Sequence, residues 1–328
     1  MKSIRQKLSY KHKNNKILYY SFNFVQLLLP NFFFRTRLHK KLVTLKNFDE
    51  RYIKERVNYY NKLKATRPVQ TGMQLANFKL PRKFKVYFFD TYEFTRYFSS
   101  KLKANFLFGD ITHIPEEPSI VKSRPIHGDN ECSVVLKLNK IRHYIFVADK
   151  KPYNYKKNML VGRSVVKLPP RISFYEMYFN HPMCDLGQIN TNKNPHWIKE
   201  RMTIDQQLDF KFILCIEGYD VATNLKWVMS SNSLAVMPKP KYETWFMEGT
   251  LIPHVHYVLI KDDYSDLEER LNYYINNTEA ALQIIKNANA FVDQFKDKKR
   301  EDLISLLVLE KYFYKTGQIE VKNPSLYN

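Results

Sequence analysis

Asp110 stands in Gly109-Asp110-Ile111-Thr112-His113, directly after the apolar run 105–108. A carboxylate held at a strand end is placed to accept a proton, and the same position also suits an aspartate that caps a turn. Arg163 and Arg171 flank the passage from a short apolar run, 158–161, into an aromatic-rich helical stretch, 174–179. Two guanidiniums there could clamp a diphosphate bidentately, or could simply be solvated. A third candidate is residues 211–227, KFILCIEGYDVATNLKW, which change character twice. Residues 212–216 read as a buried strand, Gly218 permits a tight turn, and 220–224 lead into a helical pattern through Leu225 and Val228. In an open α/β sheet ligands sit beyond the carboxyl ends of the strands, so this junction is either a binding site or an ordinary strand-to-helix turn.

Other chemistries find little support. His254 and His256 alternate around Val255 and could be metal ligands, but no H-x-x-x-H or Cys/His pair at metal spacing accompanies them, and satisfied histidines fit as well. Cys132, Cys184 and Cys215 are far apart and form no C-x-x-C, which indicates neither a disulfide framework nor a cysteine zinc site and suits a reducing compartment. With eight glycines and no G-x-G-x-x-G, Walker-type loop or G-x-S-x-G elbow, dinucleotide, P-loop and serine-hydrolase readings lack their motifs. Bound phosphates would have to be met by Arg, Lys and helix amides.

Positioning these residues requires a sheet. Strands are predicted at 84–89, 105–108, 133–138, 144–148, 158–161, 184–189, 212–216, 233–237 and 256–260, with 122–126 and the basic stretch 150–157 as loop and linker. Helices are predicted at 45–63, where Phe48, Tyr52, Ile53, Val57 and Tyr60 form a stripe, after a capping box Ser265-x-x-Glu268, around Leu282, Ile285, Val292 and Phe295, and at 303–313. Alternation of strand and helix from about residue 158 argues for a mainly parallel wound sheet.

The 328 residues suffice for about two domains, and 44% hydrophobic with 15% aromatic content marks a folded globular chain. A formal charge of +21 implies a negatively charged partner without choosing among nucleic acid, an anionic membrane or a phosphate-rich substrate. Near the amino end, Lys11, Lys13 and Lys16 precede, and Arg35, Arg37, Lys40 and Lys41 follow, an uncharged stretch at 17–34. It is short for a bilayer span, is diluted by Ser21, Asn23, Gln26, Pro30 and Asn31, and lacks a cleavage site for secretion. It reads either as an interfacial segment drawn to anionic lipid or as a buried first helix.

Together, FLFGDITHIP, KSRPI, VGR followed by Arg171, CIEGYDVATNLKWVMSSNS, PKPKYETWFMEG and HYVLIKDDYSDLEERL resemble glycosyltransferase family 90. The family includes bacterial lipopolysaccharide core glycosyltransferases, fungal capsule-associated proteins and eukaryotic protein O-glucosyltransferases. The resemblance covers about residues 80–315 and is closest to the bacterial branch. It implies a GT-B type α/β fold, two Rossmann-like domains facing across a cleft, and an inverting, metal-independent transfer from a UDP-sugar.

Carried over by position, Asp110 matches the catalytic aspartate, a base for the acceptor hydroxyl. Arg163 and Arg171 match an arginine-rich segment that meets the diphosphate, with spacing that leaves open which one makes contact. Glu217 and Gly218 stand where eukaryotic members have Arg-Gly. Asp220 and Asn224 differ too, whereas Lys226 is shared. The resemblance assigns Gly218, Val221, Ala222, Thr223 and Asn224 to backbone around the phosphates and Lys226 to a phosphate. Glu217 and Asp220 would meet ribose or sugar hydroxyls. Glu243, before Trp245 and Phe246, is a further donor candidate, although aromatics so spaced often only pack. His113, Lys122 and Arg124 fall on the acceptor side or cleft.

The expected activity is hexose transfer, glucose or galactose, from a UDP-sugar to a lipopolysaccharide or lipooligosaccharide core, without cofactor or metal. The enzyme would be cytoplasmic and peripheral on the inner membrane, with an anionic membrane surface and no nucleic acid as partner. The expected domains are a basic, partly apolar segment 1–44, an acceptor-side Rossmann-like domain 45–157, a nucleotide-sugar domain 158–300 and a helix 301–328 packing back on the N-terminal domain. The alternatives are a basic nucleic-acid-binding protein, which lacks a recognisable motif, or a family member acting on a protein or other polysaccharide.

Overall fold

Strands buried on both faces favour parallel pairing under a cover of helices, and most of the short apolar runs of this chain take that form. The computed structural model describes residue 12, residues 14–191 and residues 194–327; Lys11 and Lys13 lie outside the described residues. Two compact units emerge. One contains Ile141–Pro240 and Glu248–Gln294, the other Lys16–Lys140, Lys241–Met247 and the chain from Phe295 onward. One change of unit falls between Lys140 and Ile141.

The first unit is built on a five-stranded, wholly parallel sheet of β6 (Lys157–Ser164), β7 (Cys184–Gln188), β8 (Phe210–Leu214), β9 (Leu234–Met237) and β11 (Val258–Leu259). Its spatial order is β11-β9-β8-β6-β7. The first strand in sequence, β6, thus lies between the second and the third, an order whose switch point falls between β6 and β8. Leu160, Leu186, Phe212, Leu234 and Val258 pack against helix residues Phe174, Leu267, Leu271 and Ile284.

In the other unit β2 (Lys103–Leu107), β3 (Ser119–Val121) and β5 (Ser133–Val135) run parallel, with β1 (Met73–Gln74) antiparallel at the edge. A separate antiparallel pair joins β4 (Ser123–Pro125) to β10 (Tyr242–Thr244). Helix Glu50–Tyr60 starts at Asp49, whose side chain accepts from the amides of Arg51 and Tyr52. Its stripe Ile53, Val57 and Tyr60 is fully buried. The last helix, Lys298–Lys315, is apolar on most of its circumference and accordingly buried on most of it.

The α/β class with parallel sheets matches the sequence expectation, and several local expectations change. Residues 84–89 are not a strand but open the helix Lys85–Thr95. A short apolar run has no periodicity of its own, and here burial of Phe88, Phe89 and Phe94 decides it. The expected loop 122–126 contains β4, stabilised by its distant partner β10. Residues 144–148 form no strand. The stretch 150–157 is no linker: Lys156 is buried against Asp149, with Nζ–Oδ2 2.7 Å. The proposed capping box does not form, because the Ser265 hydroxyl bonds Asp263 and the helix begins at Leu267. The helical pattern after Asn224 amounts to Leu225–Met229.

Candidate active site

Asp110 is placed by the parallel register of β2 and β3. Leu107 is level with Val121, so the residues just past each strand emerge together. Gly109 turns the chain with φ +123°, a conformation that glycine adopts without a steric penalty. The Ser123 hydroxyl pins the loop by accepting from the Ile111 amide and donating to its carbonyl, both at 3.1 Å. Lys122 donates from Nζ to the Asp110 carboxylate. The lysine is 2% exposed and the aspartate 35%, so the loop presents one carboxylate to solvent with an ammonium fixed behind it. Such an arrangement orients the carboxylate toward solvent, where an incoming hydroxyl could reach it. His113 is exposed on the same loop.

Arg124, two residues on, is fully buried. Its guanidinium donates to Glu243 Oε1 at 2.8 Å and to the carbonyls of Tyr59, Tyr60 and Ser133. Glu243 also accepts from the Tyr59 hydroxyl. Trp245 and Phe246 are buried too; Trp245 stacks on Tyr60 at 3.8 Å and donates to Glu301 at 2.5 Å. The YETWF block is therefore internal framework of the unit that carries Asp110, with neither Arg124 nor Glu243 directed to solvent.

In the parallel-sheet unit the candidate cations separate clearly. Arg163, on β6, donates to the Asp185 carboxylate at 2.8 Å and to the Asp185 carbonyl at 2.7 Å. Burial alone would raise the Asp185 carboxyl, but Arg163 and Lys199 hold it below its ordinary value. Lys226 is wholly buried, 2.7 Å from Glu248 Oε1. Both cations thus face protein carboxylates.

Arg171 does not. It lies in the first turn of helix Pro169–Tyr178 and donates to the carbonyls of Val165, just past β6, at 3.0 Å and Ile216, just past β8, at 2.9 Å. Its guanidinium spans the switch point, and among the described residues no carboxylate pairs with it. Burial lowers its pKa, opposed in part by Tyr175 and reinforced by the nearby charge of Arg142.

Gly218 lies against this guanidinium; a Cβ there would meet Arg171 Nη2 at 3.2 Å. Around the turn, Asp220, Val221 and Ala222 are buried, Glu217, Thr223 and Asn224 are half-buried, and Asn224 Nδ2 donates to the Leu214 carbonyl at 2.9 Å. Tyr219, 65% exposed at the tip, is a functional candidate that motif reading passes over, since a lone tyrosine carries no spacing signal. The partners Asp185 and Glu248 were equally hidden, for only the folded chain brings them to Arg163 and Lys226. The described residues contain no cluster of three or more His, Cys, Asp or Glu able to hold a metal. His254 bonds the Tyr274 hydroxyl, and His256 accepts from the Ile252 amide.

Residues 171–313, which begin at this arginine, match Glycosyl transferase family 90. The chain is 44% identical over 266 residues to the O-glucosyltransferase LpsA of Dichelobacter nodosus, covering 80% of this chain and 82% of that protein. It is also 28% identical over 188 residues to the uncharacterised protein 179R of Invertebrate iridescent virus 6, covering 53% of this chain and 15% of that one. A parallel sheet with a cation across its switch point, a solvent-facing carboxylate at a second sheet's edge and this extent of identity lead to one statement: the chain belongs to glycosyltransferase family 90 and is a glycosyltransferase.

Proposed function

We propose that the protein transfers a hexose, glucose in the first instance, from a UDP-sugar to a lipopolysaccharide or lipooligosaccharide core, with inversion at C1 and the division of labour of a GT-B enzyme. The observation that carries this reading is Arg171, an arginine bonded only to carbonyls across the switch point of a parallel sheet. That is where an α/β sheet receives a nucleotide, and a guanidinium fork matches diphosphate oxygens. The sugar and acceptor follow the relative named O-glucosyltransferase LpsA.

In this mechanism Arg171 and the backbone of 218–224 hold the diphosphate, and the Tyr219 ring offers a face to the base. Glu217 and Asp220 take ribose or sugar hydroxyls. Asp110, held by Lys122, removes the proton from the acceptor hydroxyl as its oxygen attacks C1 from the side opposite the diphosphate. The bond from C1 to the diphosphate breaks, and UDP leaves with charge that Arg171 stabilises. Arg163, Lys226, Arg124 and Glu243, engaged by protein partners, position these groups.

The test is UDP release from a panel of UDP-sugars with truncated lipooligosaccharide. Asp110→Asn should lower transfer about a thousandfold while UDP still binds. Arg171→Ala should weaken UDP binding itself. Release from no donor, or full activity in Asp110→Asn, overturns the assignment.

A further inference from the structure

No residue before Asp49 is acidic, while Lys16, Arg35, Arg37, Lys40, Lys41 and Lys46 are all present and exposed. Within this cationic stretch helix Lys16–Leu28 has no buried residue, and its axis meets that of the helical segment Phe32–Asn47 at 94°. Pro30 explains the break, since it lacks an amide hydrogen and disfavours helix at the residue before it. At and beside this elbow Phe22, Val25, Leu28, Leu29, Phe32 and Phe33 are exposed, Leu28 to 82% and Phe32 to 65%. No single helix among the described residues is long and apolar enough to cross a membrane.

The elbow is not a loose tail. Arg96 donates to the carbonyls of Gln26 at 3.0 Å and Leu29 at 2.7 Å, capping the end of the first helix, and its Nε reaches Asn31 Oδ1 at 3.2 Å. Tyr92 bonds the same Asn31 oxygen at 2.8 Å, Tyr19 bonds Asp90 at 2.7 Å, and Phe24 packs edge-on against Phe89 at 5.2 Å. The inner face is thus fixed by hydrogen bonds and rings, which leaves the large apolar side chains of the outer face held toward solvent. Beside the elbow lies a cavity of about 370 Å³, whose lining includes Leu27, Phe78 and Leu80 with Arg35 and Lys79. It combines apolar walls with cations able to meet a phosphate.

We propose that this elbow is a docking surface for an anionic lipid bilayer. Phe22, Val25, Leu28, Leu29, Phe32 and Phe33 enter the headgroup–acyl boundary, and the surrounding lysines and arginines meet lipid phosphates. Cations with no acidic residue among them, flanking an exposed apolar elbow, match the charge and polarity gradient of such a surface, and monomeric proteins rarely leave so many large apolar side chains together in water. The inference stands apart from the choice of donor and acceptor.

Its test is co-sedimentation of the full chain with vesicles of phosphatidylcholine alone and of phosphatidylcholine mixed with phosphatidylglycerol. Binding should favour the mixed vesicles and weaken with salt. Leu28→Asp/Phe32→Asp should lower it at least about tenfold with an unchanged melting temperature, because both residues are exposed. Arg35→Glu/Lys40→Glu should erase the preference for anionic vesicles. Absence of sedimentation, equal binding by the apolar variant, or a dimer of the parent that this variant converts to monomer would each overturn the proposal, the last by making the elbow an interface between two copies.

Discussion

Three cations that look interchangeable in the sequence, Arg163, Arg171 and Lys226, differ in one respect: two have a carboxylate within 2.8 Å and one has only carbonyls. A paired cation offers little net charge to an incoming diphosphate, whereas one bonded to carbonyls retains its charge and is held in place. Gly218 enters at this scale through its missing side chain. In Gly218→Ala the new methyl group would crowd Arg171 Nη2 at 3.2 Å, and the flexible end of the arginine can yield by a few tenths of an ångström. Steady-state kinetics should then show a donor KM several-fold higher, with the melting temperature nearly unchanged. Unaltered kinetics would separate this guanidinium from the donor.

Among the elements, the strap Lys241–Met247 shows how a motif block can be framework. β10 pairs with β4 with Glu243 opposite Arg124, so two residues 119 apart in sequence share one buried ion pair. Removing one partner of such a pair strands the other, at a cost of about 3–5 kcal/mol. Arg124→Met should lose stability of that order in denaturant unfolding, and the double variant Arg124→Met/Glu243→Leu should regain part of it. Lost transfer with unchanged stability would return Arg124 to the acceptor. The last helix makes a pH prediction. Lys311 donates to Asn58 Oδ1 and the Asn61 carbonyl, and burial, then the charge of Lys315, pushes its pKa down from 10.5 to about 8. Between these two values the unfolded chain holds a proton that the folded chain has released, so this group adds stability as pH rises through that window and adds none below it. The melting temperature of the parent relative to Lys311→Met should therefore climb from pH about 8 toward pH about 10.

On the scale of the molecule, neither unit is a continuous stretch of chain. The chain changes unit at 15/16, 140/141, 240/241, 247/248 and 294/295, and the unit that begins at Lys16 is completed by the helix Lys298–Lys315. Ile304, Val308, Leu309 and Tyr312 are fully buried there, and the Tyr312 hydroxyl bonds the Pro118 carbonyl at 2.9 Å while accepting from the Asn105 amide. Truncation after Gln294 should therefore yield an insoluble or molten chain with weakened near-ultraviolet circular dichroism. A soluble truncation that still melts cooperatively would show that this helix is dispensable to the fold.

The sequence by itself determined the α/β class, most strands of the larger sheet, the Asp110 turn and the family, because buried parallel strands are continuous apolar runs and the motif blocks are long. It did not separate strand from helix at 84–89, where six residues, apolar except for Lys85, are too few to show a period. Nor did it reveal that Arg163, Lys226 and Arg124 are engaged by Asp185, Glu248 and Glu243, or that Lys122 backs Asp110. Those pairings join residues 12 to 119 positions apart, and only the folded chain brings them together, by strand register for Arg124 and Glu243 and by a helix against a turn for Lys226 and Glu248. Which charges remain available to a substrate was decided by the tertiary structure, since a charge is neutralised by what lies beside it in space.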